Sequence, residues 1–168
     1  MLRFLVWFLV LLTALFTLEM LAPVQRTLIL PWTALLADLC GWLMQLFDDQ
    51  IAVTGKVIRS TTSGFGVSIE PGCNGVEAMI VLLAAIAAFP APWRYKLQGL
   101  LAGFLAIQAL NLARIISLYY LGLWHPVLFE WAHLYIWQAL IMLDALIVFL
   151  VWVRFIPGPA TTAAAHAG

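Results

Sequence analysis

The sequence contains few charged residues. Only 10% of its 168 residues are Asp, Glu, Lys or Arg, whereas 65% are hydrophobic, and the formal net charge is zero. A soluble domain carries about 25% charged and about 45–50% apolar residues. The shortage of charge therefore excludes an ordinary soluble domain and predicts an integral membrane protein. No basic run is present, so we expect contact with membrane lipids and none with nucleic acid.

Cysteine and histidine are also scarce. The two cysteines, Cys40 and Cys73, form no C-x-x-C pair, and the three histidines are scattered along the chain. This spacing argues against a metal site, and no motif for a soluble cofactor is present. We therefore predict neither a metal nor a cofactor. Cys73 could be a reactive thiol, a buried structural thiol, or half of a disulfide with Cys40.

The apolar residues form long runs, which predict an all-α membrane fold. A helix needs about 20 residues to cross a bilayer. Four runs approach this length, at about residues 4–21, 76–92, 97–121 and 134–153. Residues 1–156 then form a single membrane domain. The small and polar residues 157–168 read as a disordered cytoplasmic tail.

Residues 28–47 form an additional run whose position in the membrane is ambiguous. Small or polar residues such as Thr33 and Gly41 recur along one face of this helix, whose other faces are apolar. Pro31 and Asp38 disfavour a spanning helix. We therefore favour an amphipathic helix in the interface, and a fifth span is the alternative.

The flanking cations predict the orientation of the chain. Arg94 and Lys96 lie between the second and third spans, and Arg154 follows the last span. Loops rich in Lys and Arg stay in the cytoplasm, so we expect residues 23–73 to form an outward segment. Within it, the stretches "KVIRS" and "FGVSIE" predict a small polar hairpin that turns near "TTSG".

Cys73 occurs where this polar segment meets an apolar helix. In "PGCNGVE", Asn74 is a candidate N-cap, and Glu77 follows it at the spacing of a capping box. The helix dipole and free N–H groups at such a start would favour a thiolate at Cys73. The sequence therefore predicts a reactive thiol at the outer end of a span.

Arg114 is a charge inside an apolar run. Helical rise places it about 12 Å below the outer end of the third predicted span. Gln108 and Asn111 share its helix face. A charge at this depth costs several kcal/mol and usually serves a function. The alternative is a structural ion pair with Asp144.

His133 begins the last predicted span on the same outer side as Cys73, and His125 is a rival in the preceding loop. A thiol, an imidazole and a guanidinium at one membrane rim predict nucleophilic acyl transfer by a cysteine–histidine pair. The candidate supporting residues are Asn74, Glu77, Asn111, Gln138 and Asp144.

Three segments, "GCNGVEAMIVLLAA", "NLARI" and "AHLYIWQ", resemble the exosortase/archaeosortase family of membrane cysteine transpeptidases. The resemblance is closest to the exosortase H branch and covers about residues 48–154. It implies that Cys73 forms a thioester, that His133 acts as acid and base, and that Arg114 stabilises the thiolate or oxyanion. Many family members have more spans than this chain, so the substrate groove of the larger members cannot be assumed.

The resemblance also implies the substrates and the cellular location. Family members cut exported proteins at a C-terminal signal made of a motif, a transmembrane helix and a basic tail. For this branch the motif resembles I-P-T-L-x-x-W-G, and the new C-terminus passes to a surface acceptor such as a lipid or a polysaccharide. The implied location is the bacterial inner membrane, with the active site facing the periplasm or cell exterior.

Two other functions compete with this reading. A membrane thiol oxidoreductase would use Cys40 and Cys73 as a redox pair, although it would normally need a C-x-x-C motif. A non-enzymatic assembly or scaffold protein would use Arg114 and Asp144 only to lock the helix bundle.

Overall fold

The structure, a computed structural model, describes residues 2–156, so the predicted tail 157–168 lies outside the described residues. The helices are α1 (Leu2–Glu19), α2 (Ala22–Gln45), α3 (Val76–Ala88), α4 (Trp93–Trp124) and α5 (Pro126–Arg154). One π-helical turn interrupts α2 at Gln25–Ile29 and another interrupts α5 at Ala132–Ile136. The strands are β1 (Ile51–Thr54), β2 (Val57–Ser60) and β3 (Gly66–Ser68).

The predicted membrane fold is confirmed, but with different helix lengths. Four helices, α1, α2, α4 and α5, are long and apolar enough to cross a membrane. The predicted span 76–92 is shorter in the structure, because α3 has only 13 residues. Phe89 leaves the helix with an extended backbone, at ψ 136°. The physical reason is Pro90, whose ring disfavours the helical conformation at the residue before it.

Although short, α3 is the central helix of the bundle and packs against α1, α4 and α5. Its buried side chains Ala78, Leu82 and Ile86 form an apolar cluster with Ile107 of α4 and with residues of α5. Dispersion and close packing, rather than exclusion of water, hold helices together in lipid. This cluster therefore fixes how α4 and α5 stand relative to the start of α3.

One end of the bundle is aromatic and basic. Trp152 Nε1 donates to the backbone oxygen of Tyr95 at 2.7 Å, and Phe89 packs edge-on against both Trp152 and Phe4. These contacts bring together the start of α1, the end of α3, the start of α4 and the end of α5. The cations of this region, which we call the basic end, are Arg3, Arg94, Lys96 and Arg154.

The opposite end carries the β-sheet, and we call it the sheet end. The three strands are antiparallel in the order β1-β2-β3. The β2–β3 hairpin forms as predicted, while β1 adds a strand that the sequence analysis did not identify. Ile58 of β2 is fully buried with Met44 of α2 and Tyr119 of α4. Gly122 of α4 leaves room for the Phe65 ring just before β3. These contacts hold the sheet against α2 and α4.

Helix α2 has both of its ends near the sheet end. Gln25 Nε2 donates to the backbone oxygen of Glu19, at the end of α1, with a length of 2.8 Å. Beyond its last turn, Asp48 accepts a 3.2 Å hydrogen bond from Tyr120 Oη in the outer part of α4. Helix α2 is thus long enough to cross a membrane, yet it does not connect the sheet end to the basic end. Whether α2 crosses the membrane or lies in its interface stays a prediction.

Candidate active site

Cys73 lies in the short turn that joins β3 to α3. Gly72 and Gly75 flank it with φ values of 85° and 74°, a left-handed conformation that glycine adopts without strain. The Cys73 N–H donates to the Glu70 oxygen at 2.9 Å. The turn is therefore tightly closed, and the thiol projects from it while the backbone N–H of the same residue is already used.

The start of α3 is capped differently from the prediction. Gly75, not Asn74, is the residue that immediately precedes the helix. Asn74 Oδ1 still accepts a hydrogen bond from the Val76 N–H at 3.0 Å, and Glu77 accepts one from the Gly72 N–H. Both predicted side chains thus satisfy backbone donors at the helix start. The left-handed Gly75 shifts the pattern by one residue.

Arg114 binds this turn from α4. Its Nη1 donates to the Gly72 oxygen at 3.1 Å, and its Nη2 lies 3.4 Å from Cys73 Sγ. The side chain is only 1% exposed. Within residues 2–156 no carboxylate lies within ion-pair distance of it. The alternative of a structural ion pair with Asp144 is therefore wrong, and a buried, unpaired guanidinium is directed at the thiol.

Helix α4 sets the height of Arg114 between the two ends of the bundle. Helix α4 extends to Trp124, beyond the predicted end at 121. With a rise of about 1.5 Å per residue, Arg114 stands about 28 Å from Tyr95 of the basic end along the helix axis. The hydrocarbon core of a bilayer is about 30 Å thick. Arg114 thus stands nearly one hydrocarbon thickness from the basic end, and its depth in a membrane stays a prediction.

His133 completes the cluster from the π-helical turn of α5. Its Nε2 lies 3.4 Å from Cys73 Sγ, and its ring packs on Phe129 with a centroid separation of 5.6 Å. Single π-helical turns re-aim side chains and often occur at functional sites. His125 is exposed and forms no side-chain hydrogen bond in the described part of the chain. Of the two candidate histidines, only His133 contacts the thiol.

Burial raises the pKa of the Cys73 thiol above its ordinary value. The Arg114 guanidinium acts in the opposite direction, while Glu77 and Glu70 add to the increase. Burial therefore opposes the thiolate that the helix start and Arg114 favour. A neighbouring base that removes the thiol proton would make Cys73 a nucleophile.

Asn74 ties the turn to α2. It is fully buried, its Nδ2 donates to Thr33 Oγ1 at 3.2 Å, and its backbone oxygen accepts from Trp32 Nε1 at 3.2 Å. The residue pattern predicts Thr33 on the polar face of α2, whereas neither Thr33 nor Trp32 was a candidate for the site. The polar stripe on an apolar helix was the signal that could have identified this contact.

The remaining candidates lie at different distances from the thiol. Asn111 is fully buried one turn below Arg114, and neither polar atom of its side chain has a hydrogen-bond partner within residues 2–156. The Gln108 amide lies against Gly75. Gln138 is exposed, and Asp144 lines a different cavity. Of the candidates, Asn74 and Glu77 hydrogen-bond within the reactive turn, and Asn111 lies one turn of α4 from Arg114.

A cavity of about 210 Å³ opens onto the thiol. Its walls are strand β3 with the following turn, one face of α4 and the start of α5. Cys73, Arg114 and His133 all line it. Within residues 2–156 no group of His, Cys, Asp and Glu side chains is arranged to hold a metal ion. The arrangement can perform nucleophilic chemistry with a thiol, a base and a fixed positive charge.

Comparison with known proteins agrees with the family resemblance. The model of the family described as "Transmembrane exosortase" matches residues 2–153, nearly the whole described chain. No curated protein and no solved structure matches the chain.

Proposed function

Because the chain belongs to the transmembrane exosortase family, we propose that it is a multi-pass membrane cysteine protease and transpeptidase that processes C-terminal sorting signals of exported proteins. One observation carries this proposal: Cys73 Sγ lies 3.4 Å from both His133 Nε2 and Arg114 Nη2 at the wall of an open cavity. A thiol, a base and a fixed cation at such distances suit acyl transfer.

The first half of the reaction forms a thioester. His133 Nε2 takes the thiol proton, and Sγ of Cys73 attacks the carbonyl carbon of the scissile peptide bond. The carbonyl oxygen becomes negatively charged, and the Arg114 guanidinium stabilises that charge. The Cys73 N–H already donates to the Glu70 oxygen, so it is not free to bind the oxyanion. The Arg114 guanidinium beside the thiol is therefore the donor that this role falls to. His133 then gives its proton to the departing amide nitrogen, and the C–N bond breaks.

The second half releases the enzyme. An acceptor that carries an N–H or O–H group, such as a lipid, a polysaccharide or water, attacks the thioester carbonyl. His133 removes the proton of the acceptor, the C–S bond breaks, and the proton returns to Cys73. The exported protein is then joined to the acceptor, or hydrolysed if water attacks.

The position of the site fits a substrate that carries its own transmembrane helix. Four cations occupy the basic end, which supports a cytoplasmic location for that end in the bacterial inner membrane. The active site then faces the periplasm or cell exterior, about one hydrocarbon thickness away. A motif directly preceding a transmembrane helix would arrive at the same level as Cys73.

The oxidoreductase alternative has less support. Both cysteines are free, and Cys40 is completely buried in the apolar cluster at the sheet end. A thiol enclosed by Leu36, Met44 and Ile58 has no access to a redox partner without local opening. Cys40 therefore serves as a matched control for Cys73.

The test is cleavage of a tagged exported protein that bears an I-P-T-L-type C-terminal signal. It is co-expressed with the wild type, with Cys73→Ala or with Cys40→Ala, and the abundance of each protein is matched. We expect processing by the wild type and by Cys40→Ala, and none by Cys73→Ala, because only Cys73 contacts the base.

Trapping the thioester makes the test chemical. Hydroxylamine added to wild-type membranes should release the cleaved protein as a hydroxamate, which mass spectrometry identifies at its new C-terminus. Unchanged processing by Cys73→Ala would exclude the cysteine mechanism. Stable variants without any processing, wild type included, would instead favour the scaffold function.

A further inference from the structure

Strand β3 presents a free edge. The Ser60 N–H donates to the Phe65 oxygen at 2.8 Å, and the Ile69 N–H donates to the Lys56 oxygen at 3.0 Å. In this register the backbone groups of every second residue face β2. The N–H and C=O groups of Gly66 and Ser68 therefore face away from β2, and no hydrogen bond within residues 2–156 involves them.

This free edge adjoins the reactive thiol. Gly66 and Ser68 are both exposed, and they line the same cavity as Cys73 and His133. The chain passes from Ser68 through Glu70 directly into the Cys73 turn. The cavity thus runs from an unpaired strand edge to the nucleophile with no other element between them.

We propose that the free edge of β3 binds the substrate as an added β-strand, which carries the scissile carbonyl to Cys73. The inference rests on the proposed function and specifies its substrate: an extended peptide segment, recognised in part through its backbone. Unpaired edges are templates for strand addition, with main-chain hydrogen bonds giving affinity. Gly66 and Ser68 together offer two N–H and two C=O groups for this purpose.

The geometry suits a segment that precedes a membrane helix. In an added strand every second residue directs its backbone groups at β3, and the residues between direct theirs away. Such pairing fixes the height and rotation of the peptide at the cavity wall. The scissile carbonyl, which follows the paired segment, is then held in one orientation relative to the Cys73 thiol. Nucleophilic attack requires such a fixed orientation.

The enzyme-side test compares Ser68→Pro with Ser68→Ala in the full chain, reconstituted in lipid nanodiscs. Proline removes the edge N–H and leaves the bonds to β2 intact, since Ser68 faces away from that strand. Alanine keeps the N–H and removes the same hydroxyl, which donates to Glu70 at 2.8 Å. We expect Ser68→Pro to lower kcat/KM by about tenfold relative to Ser68→Ala, mainly through KM.

Site integrity is checked separately by alkylation of Cys73 with iodoacetamide, in the Cys40→Ala background so that only one thiol reacts. The alkylation rate should be equal in the two Ser68 variants. Equal kcat/KM for the two variants, with both folded and alkylated normally, would overturn the proposal.

A substrate-side test does not depend on either variant folding. The probe is a synthetic peptide carrying Ile-Pro-Thr-Leu followed by an apolar helix and a basic tail, with one backbone nitrogen methylated at a time. Proline has no N–H, so it should occupy a position that faces away from β3. Methylation at the threonine should then weaken binding by about tenfold, and methylation at the leucine far less. Equal sensitivity at both positions would overturn the edge-strand mode.

Binding and cleavage are measured separately, so that the two proposals can fail independently. Affinity of each peptide is measured on the Cys73→Ala chain, and turnover is measured on the wild type. If affinity depends on which backbone nitrogen is methylated but no peptide is cleaved, strand addition is supported and the protease function is contradicted. If the peptides are cleaved but affinity does not depend on the methylated position, the protease function is supported and strand addition is contradicted. A probe that neither binds nor is cleaved would contradict both.

Discussion

Two cavities of the molecule differ in size and in chemistry. The larger, about 630 Å³, lies between α4 and α5 toward the basic end and is lined by apolar side chains with Asp144 and Gln98. The smaller, about 210 Å³, lies at the sheet end. In the larger cavity, no side chain of the described residues hydrogen-bonds Asp144 Oδ2. In the smaller one, a thiol, an imidazole and a guanidinium are in mutual reach around Cys73.

A reactive site is thus marked by polar side chains that meet at one point, as around Cys73, and not by the volume of the cavity. Asp144 has no thiol, imidazole or guanidinium beside it in the lining of the larger cavity. Cys73 has a base on one side and a fixed charge on the other. The predictions below test whether the chemistry belongs to the smaller cavity alone.

The largest expected effect is that of His133→Ala. Loss of a general acid and base lowers rates by about 10²–10⁴-fold, so cleavage of the tagged exported protein should nearly stop. The control is His125→Ala at the exposed junction, which should change the rate by no more than about twofold. A greater loss of activity in His125→Ala than in His133→Ala would show that His133 is not the base.

Arg114→Gln should follow, with a loss of about 10²–10³-fold in the cleavage rate, as for removal of an oxyanion donor. It should also change the thiol. Burial raises the pKa of Cys73 and Arg114 opposes this increase. Removing the guanidinium should therefore raise the pKa further and shift alkylation by iodoacetamide to higher pH.

The check is the alkylation rate as a function of pH in the Cys40→Ala background, with Arg94→Gln at the basic end as the control. A midpoint that moves to lower pH, or stays unchanged, would mean that Arg114 does not act on the thiol.

The raised pKa of Cys73 also makes stability depend on pH. Because folding raises this pKa, the contribution of the thiol to stability is fully present at low pH. It is lost as the pH rises through the pKa of the folded state.

The two glycines beside Cys73 should give a smaller, structural effect. Forcing an alanine into a left-handed conformation costs about 1–2 kcal/mol. Gly72→Ala should cost only this, because an added Cβ there has open space, whereas at Gly75 it would press on the Gln108 amide. Thermal unfolding in detergent should therefore rank wild type, Gly72→Ala and Gly75→Ala in order of decreasing stability. The reverse order of the two variants would contradict the packing of Gln108 under the turn.

The smallest effect is expected from Asp144→Asn in the larger cavity. The substitution keeps the shape of the side chain, and the residue contacts none of the reactive groups, so the cleavage rate should change by less than about threefold. A loss comparable to that of Arg114→Gln would place part of the chemistry in the larger cavity and break the comparison.

Much of the site could be predicted from residue types alone. A cysteine at a helix start, an arginine inside an apolar run and a histidine at the same rim cannot be explained as ordinary lipid-facing residues. Cys73, Arg114 and His133 are predictable site residues for this reason, and the structure brings these three side chains together. Their catalytic roles stay predictions until the variants are measured.

Other features required distances that residue types do not contain. Asp144 and Arg114 are opposite charges in neighbouring helices, yet they lie in different cavities, since Asp144 follows His133 by eleven residues, about 16 Å along α5. Gly75 occupies the N-cap position expected for Asn74, because two left-handed glycines shape the turn, although Asn74 still accepts from the Val76 N–H. Trp32 and Thr33 joined the site through long-range packing of α2, which has no local signature.

The sequence by itself determined that this protein folds in a membrane, since its long apolar runs have to be buried in lipid. It also determined the candidate reactive groups, since a charge among apolar residues is costly and usually serves a function. The tertiary structure decided which histidine contacts the thiol, that burial raises the pKa of the thiol, and that a free strand edge lies beside it. These properties depend on burial and on contacts between residues far apart in the chain, and both arise only when the helices and the sheet have packed.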